Sequence, residues 1–138
     1  MKSSKRMTDV ERKTLLSTMW IFVLLNMVYA DILGMLRPGY LDFLDQISQQ
    51  LTGSTVLFFA ILMEVAISMV LFSRILGYKA NRRTHFITIP LTILWVVVPS
   101  LIPSLGSTPP SYIFFASVEV ATMLIIFMYV WKWPKPHL

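Results

Sequence analysis

Apolar residues fall in four long runs, 15–36, 55–76, 86–105 and 111–131, separated by short polar blocks. No run alternates with period two, and each is too long for a buried strand. At 1.5 Å per residue the first run makes about 33 Å of helix, enough to cross a hydrocarbon core of ~30 Å. The pattern predicts four membrane-crossing helices. A shorter segment, 40–51, reads differently. Asp42, Asp45, Gln46 and Gln49 fall on one helical stripe, and Tyr40, Leu44, Ile47 and Leu51 on the other. This predicts an amphipathic helix too short to span and suited to the interface. The fold class expected is all-α: an integral membrane four-helix transmembrane bundle, one domain over 1–138, with an interfacial helix between spans 1 and 2.

Local chemistry sets the boundaries. Arg37-Pro38-Gly39 ends the first helix, because a residue before proline avoids the helical region. Gly53 closes the interfacial helix. Gly77 to His85 reads as a tight basic turn, with His85 a solvated loop residue beside Arg82 and Arg83. Pro90, Pro99 and Pro103 predict kinks or an early end in the third span, with Thr88, Thr92 and Ser100 available to satisfy freed carbonyls. Gly106 to Pro110 reads as a proline turn. In the polar start, Thr8 and Glu11 have capping-box spacing, but residues 1–13 read as a solvated, frayed tail. Val28-Tyr29-Ala30 offers a signal-peptidase pattern, yet the run stays apolar beyond it, so a retained helix is expected.

Composition agrees with the pattern. Hydrophobic residues make up 56% of the chain and charged residues 14%, against about 25% in soluble domains. Without cysteine there are no disulfides and no thiolate sites. The net charge of +5 does not point to nucleic acid, since no soluble module presents a basic face. It reads instead as topology. With both termini cytoplasmic, 11 of the 12 Lys and Arg residues lie inside and only Arg37 outside. The expected location is the inner (cytoplasmic) membrane.

Three acids interrupt this apolar sequence: Asp31, Glu64 and Glu119. Counting from the outer helix ends, Asp31 lies ~7 Å deep, Glu119 ~12 Å, Glu64 ~14 Å and Asn26 ~15 Å. An acid at such depth costs about 2.5–3.5 kcal/mol on insertion scales, so it faces a bundle interior or a wet cavity. The stripes Ala60, Glu64, Ser68 and Ala116, Glu119, Thr122 read as packed interior. Asn26 and Asp31 are ~140° apart around one helix, which moves Asp31 to the rim, paired with Arg37. The candidate ligand or ion site is therefore Glu64, Glu119, Asn26 and Asp31, supported by Ser68, Thr122 and Arg37.

Catalytic and metal chemistry find no pattern. A ferritin-like site needs histidine three residues after glutamate, but Ile67 and Thr122 stand there. His85 and His137 lie at the opposite side from the acids, and no nucleophile–base pair or phosphate loop occurs. No cofactor is expected. The leading expectation is a non-enzymatic membrane protein whose carboxylates bind or conduct a proton, cation or small ligand, with a homo-oligomer as a possible form. The alternatives are an interaction subunit of a membrane complex and a lipid-modifying enzyme using the two glutamates as acid and base.

The run Trp20-Ile21-Phe22-Val23-Leu24-Leu25-Asn26-Met27-Val28-Tyr29-Ala30-Asp31-Ile32-Leu33 resembles the opening helix of a family of small four-span membrane proteins of unknown function, DUF6326. Glu64 and the span 111–131 with Glu119 are similar to that family as well. The resemblance implies a four-helix membrane fold and a bacterial origin, and it carries no activity. In size and layout alone the chain is also similar to DoxX-like four-span proteins.

Overall fold

A computed structural model describes residues 7–101 and 108–135. All regular structure among the described residues is helical: α1 (Asp9–Met35), α2 (Tyr40–Ser48), α3 (Gly53–Ile75), α4 (Tyr78–Val97) and α5 (Pro110–Trp131), with a 3-10 turn over Val98–Leu101 after α4. Four of these helices are long and apolar enough to cross a membrane.

The helix starts follow capping chemistry. The Thr8 hydroxyl accepts from the Glu11 amide at 3.2 Å, and the Glu11 carboxylate accepts from the Thr8 amide at 2.8 Å. This reciprocal box satisfies two amides that a helix start leaves bare. The expectation of a frayed tail is therefore corrected from Thr8 onward: α1 begins at Asp9. Thr52 caps α3 through the Thr55 amide at 3.2 Å. Pro110 opens α5 at a position where a missing N–H is harmless. Gly39, at φ 75°, makes the left-handed turn that carries the chain from α1 into α2.

A second correction concerns α4. The basic turn expected over 77–85 is helix from Tyr78 onward, and the link from α3 shrinks to Leu76 and Gly77. Arg82, Arg83 and His85 thus lie on the first two turns of a span. The helix continues across Pro90 and gives way to the 3-10 turn at Val98. There Ser100 Oγ donates to the Val97 carbonyl at 2.6 Å, and the Tyr112 hydroxyl donates to the Val96 carbonyl at 2.7 Å. Pro103 and most of the proline turn lie outside the described residues.

The four long helices form an antiparallel ring. α1 packs on α3 and α5, and α4 packs on the same two helices, so α1 and α4 face each other across the centre. α2 rests on the end of α1, its Tyr40 ring over Gly34. One end of the bundle, the terminal end, carries the start of α1, the α3–α4 link and the end of α5. The other, the α2 end, carries α2 and the 3-10 turn.

The bundle is apolar outside as well as inside. Among the described residues eight of the twenty buried ones are polar or charged, while Phe22, Leu57, Phe58, Ile61, Ile87 and Phe114 are exposed. Lipid is as apolar as a leucine core, so apolar surface gains little by turning inward; close packing and hydrogen bonds hold such helices together. The buried polar residues therefore mark the inside. At the terminal end Arg12 lies over the Trp133 ring and Arg82 over Tyr78 and Phe86.

Candidate functional site

The inward stripe of α1 is Leu16, Trp20, Val23 and Met27. One further turn along, the same stripe brings Ala30, Asp31 and then Gly34 to the α2 end. On α5 the inward stripe is Glu119, Thr122, Met123, Ile126 and Val130. These two stripes meet in a cavity of about 220 Å³, closed by Met63 of α3, Trp95 and Val96 of α4, Pro99 of the 3-10 turn, and Tyr112 and Ala116 of α5. Asp31 and Glu119 both line it. Glu119 is 3% exposed.

The local donors are committed elsewhere. Tyr112 donates to the Val96 carbonyl, Thr122 to the Val118 carbonyl at 2.8 Å, and Asn26 to the Phe22 carbonyl at 2.8 Å. Among the described residues Glu119 has no hydrogen-bond partner. Its carboxyl oxygens are not sealed among protein atoms; they face the cavity, where their hydrogen-bonding demand is left to whatever fills it.

A second cavity, also about 220 Å³, continues outward. It shares Ala30, Asp31, Pro99 and Tyr112 with the first and adds Gly34, Arg37, Tyr40, Phe43, Ser100, Thr108, Pro109 and Ser111. Asp31 therefore stands at the waist between an inner chamber ending at Glu119 and a mouth bearing Arg37. The expected Asp31–Arg37 ion pair is not formed. Among the described residues the ion pair present is Lys13–Asp9, at 3.4 Å.

Glu64 does not join Glu119. It is exposed on the outer face of α3 and lines a separate groove between α3 and α4, with Ser68, Thr84 and Thr88. The physical reason is the inward face that α3 selects, Ala66, Met69 and Ser73. Glu64 and Ala66 are two residues, about 200°, apart around the helix. Ala60 is exposed too, so the stripe Ala60, Glu64, Ser68 is not packed interior. Asn26 is partly buried but outside the lining of both Glu119-side cavities. Depth counted along the helices groups Asn26 and Glu64 with Glu119, but the facing of each helix decides the lining, and the acid that shares the cavity with Glu119 is Asp31.

One buried constellation has no counterpart in the sequence reading. His85, assigned to a solvated loop, is fully buried. Its Nδ1 donates to the Asn81 carbonyl at 2.8 Å, which places the proton on that nitrogen, and Nε2 lies 3.4 Å from Ser73 Oγ. Asn81 Nδ2 donates to the Ser73 carbonyl at 2.7 Å. Ser17 Oγ donates to the Val70 carbonyl at 2.8 Å and accepts from Arg74 Nε at 3.1 Å. Trp20 faces His85 with ring centroids 6.2 Å apart. The signal was present: Asn81, His85, Thr88 and Thr92 recur at i, i+4, i+7 and i+11, a helical polar stripe that the turn assignment concealed.

Among the described residues no group of three or more acids and histidines is placed to hold a metal ion. The arrangement is thus a small all-helical bundle with four membrane-length apolar helices and a carboxylate-lined cavity opening at one end. Residues 5–138 match the family of unknown function DUF6326, and the chain belongs to that family. No curated protein and no solved structure matches it.

Proposed function

We propose that this protein is an integral membrane protein that binds a small cation, the proton included, in the pocket between Asp31 and Glu119. The observation that carries this reading is Glu119: buried, without a protein partner among the described residues, and lining a cavity that it shares with a second carboxylate. Two ionised carboxylates are acceptors and carry no donor of their own, and a cation supplies what the surrounding side chains do not. The charge distribution favours the terminal end in the cytoplasm and the pocket mouth on the far side. Roles for Asn26 and Thr122 are confined to the packing around this pocket. Ser68 and Glu64 belong to the outer groove.

The test uses a lipid-soluble carbodiimide, which couples to protonated carboxyls, with adducts mapped by mass spectrometry. Glu119 should be labelled, and sodium or ethanolamine should slow that labelling. Glu64, facing outward, serves as the internal reference. If neither cation slows labelling at Glu119 relative to Glu64, the pocket reading fails.

A second reading draws on Glu64 itself. A carboxyl on the outer face of a membrane-length helix favours contact with another polypeptide. This is the interaction-subunit alternative, and it concerns a face distinct from the pocket.

A further inference from the structure

Arg37 stands in the mouth of the acid pocket without an ion pair among the described residues. It is isolated in sequence as well. No other Lys or Arg occurs between Lys13 and Arg74, or between Arg83 and Lys132. The sole cation of the α2 end therefore lines the same cavity as Asp31, and the order of charge from the closed end outward is Glu119, Asp31, Arg37. A simple cation entering this pocket meets a like charge at the mouth and gains nothing from it. A simple anion is met by two carboxylates within. A ligand carrying both charges satisfies all three side chains.

Resting on the cation-pocket reading, we propose that the ligand is a zwitterion. Its ammonium group sits with Asp31 and Glu119, and its phosphate or carboxylate is held by Arg37. Asp31 lies on the last turns of α1 and Arg37 just beyond its end, and both line the same cavity, within reach of one small ligand. An ammonium and a phosphate joined by two methylenes suit that placement. The guanidinium is matched to phosphate and carboxylate oxygens by its planar fork of donors. Tyr40 and Phe43 of α2, their rings 6.1 Å apart, give the mouth an apolar side that accepts the carbon portion. The same chemistry exists in a free ammonium phosphate ester and in a phosphatidylethanolamine headgroup.

Carbodiimide labelling of Glu119 provides the readout, in nanodiscs of phosphatidylglycerol or of phosphatidylethanolamine. In phosphatidylglycerol, phosphoethanolamine should protect Glu119 at a concentration about tenfold lower than ethanolamine does. Arg37→Gln should abolish the advantage of phosphoethanolamine while ethanolamine, freed of a like charge at the mouth, protects as well as before or better, and Asp31→Asn should weaken both. Protection in phosphatidylethanolamine nanodiscs without added ligand assigns the lipid headgroup as the source. Protection only by the soluble compound assigns a free solute. If the two compounds protect equally in the wild type and phosphatidylethanolamine gives no protection, the zwitterion is overturned and the cation pocket stands. If no compound protects, sodium included, both readings fall.

Discussion

Polar groups gather in two places in the bundle, and the two are built on opposite rules. At the terminal end, Ser17 and Asn81 donate to the Val70 and Ser73 carbonyls and so tie α1 and α4 to α3, while His85 bonds within α4 and brings Nε2 to 3.4 Å from Ser73 Oγ. Residual demand there is small, Trp20 Nε1 and Asn81 Oδ1 being the buried atoms of this cluster without a partner. At the α2 end, Asp31 and Glu119 line a cavity whose neighbouring hydroxyls already serve the Val96 and Val118 carbonyls. The first region is tied together within the chain, at the cost of a few enclosed atoms without a partner; the second turns its carboxyls to a cavity. In a bundle of membrane-length helices, hydrogen bonds to carbonyls act as glue. An acid with no protein partner adds no such bond, and acids at these positions face a bundle interior or a cavity.

The largest expected effect lies in the closed region. His85→Ala removes a fully buried ring and its bond to the Asn81 carbonyl. It should destabilise the bundle by about 3 kcal/mol, through the cavity it leaves and the contacts it loses. Asn81→Ala, which deletes the 2.7 Å bond to the Ser73 carbonyl, should cost about 1–2 kcal/mol. Unfolding in detergent measures both. In both variants, where folded, cation protection at Glu119 should remain as in the wild type. Loss of protection in a folded Asn81→Ala protein would join the two regions into one functional unit and break the comparison.

Glu119→Gln should act with the opposite sign. It removes an uncompensated buried acid and keeps its shape, so stability without ligand should rise by about 1 kcal/mol, the usual exchange at a site held open for a ligand. On the cation-pocket reading, added cation should raise the thermal stability of the wild type, and that gain should disappear in this variant. A variant that instead loses stability like His85→Ala would identify Glu119 as a packing residue.

The sequence made the helices legible because their signal is length and hydropathy, which survive without any knowledge of neighbours. Pro38 and Gly39 mark a turn for the same reason, their constraint being local, whereas Gly53, expected to close the interfacial helix, opens α3. The facing of each helix was harder to read. In α3 nearly every position is apolar, so the inward stripe Ala66, Met69, Ser73 carries no hydropathy contrast, and the charge of Glu64 with the small residues Ala60 and Ser68 beside it points to the wrong face. In α1 the stripe Leu16, Trp20, Val23, Met27 extends to Asp31 by a plain i+4 step, yet Leu24 and Leu25 beside it look equally buried in sequence. His85 was missed for a local reason: three basic residues before it resembled a loop, and a helix start at a membrane surface has the same composition.

The smallest effect should come from Glu64→Leu, and it is the sharpest test of where the boundary between the regions runs. Glu64 lies on the outer face of α3, in a groove that shares no residue with the Glu119 cavity. Membrane helices separate and associate while remaining inserted, so an outward side chain meets much the same surroundings in both states. Bundle stability should therefore change by less than about 0.5 kcal/mol, as for an ordinary surface position. The ligand concentration protecting Glu119 should not move, whereas native mass spectrometry in detergent reads whether a partner or second copy is lost. Dissociation with the pocket intact would assign the two acids to two separate tasks, one facing inward to a ligand and one facing outward to a protein. A shift in Glu119 protection without dissociation would mean that the outer groove and the inner cavity communicate through α3, and the division drawn from burial and hydrogen bonding would have to be redrawn along that helix.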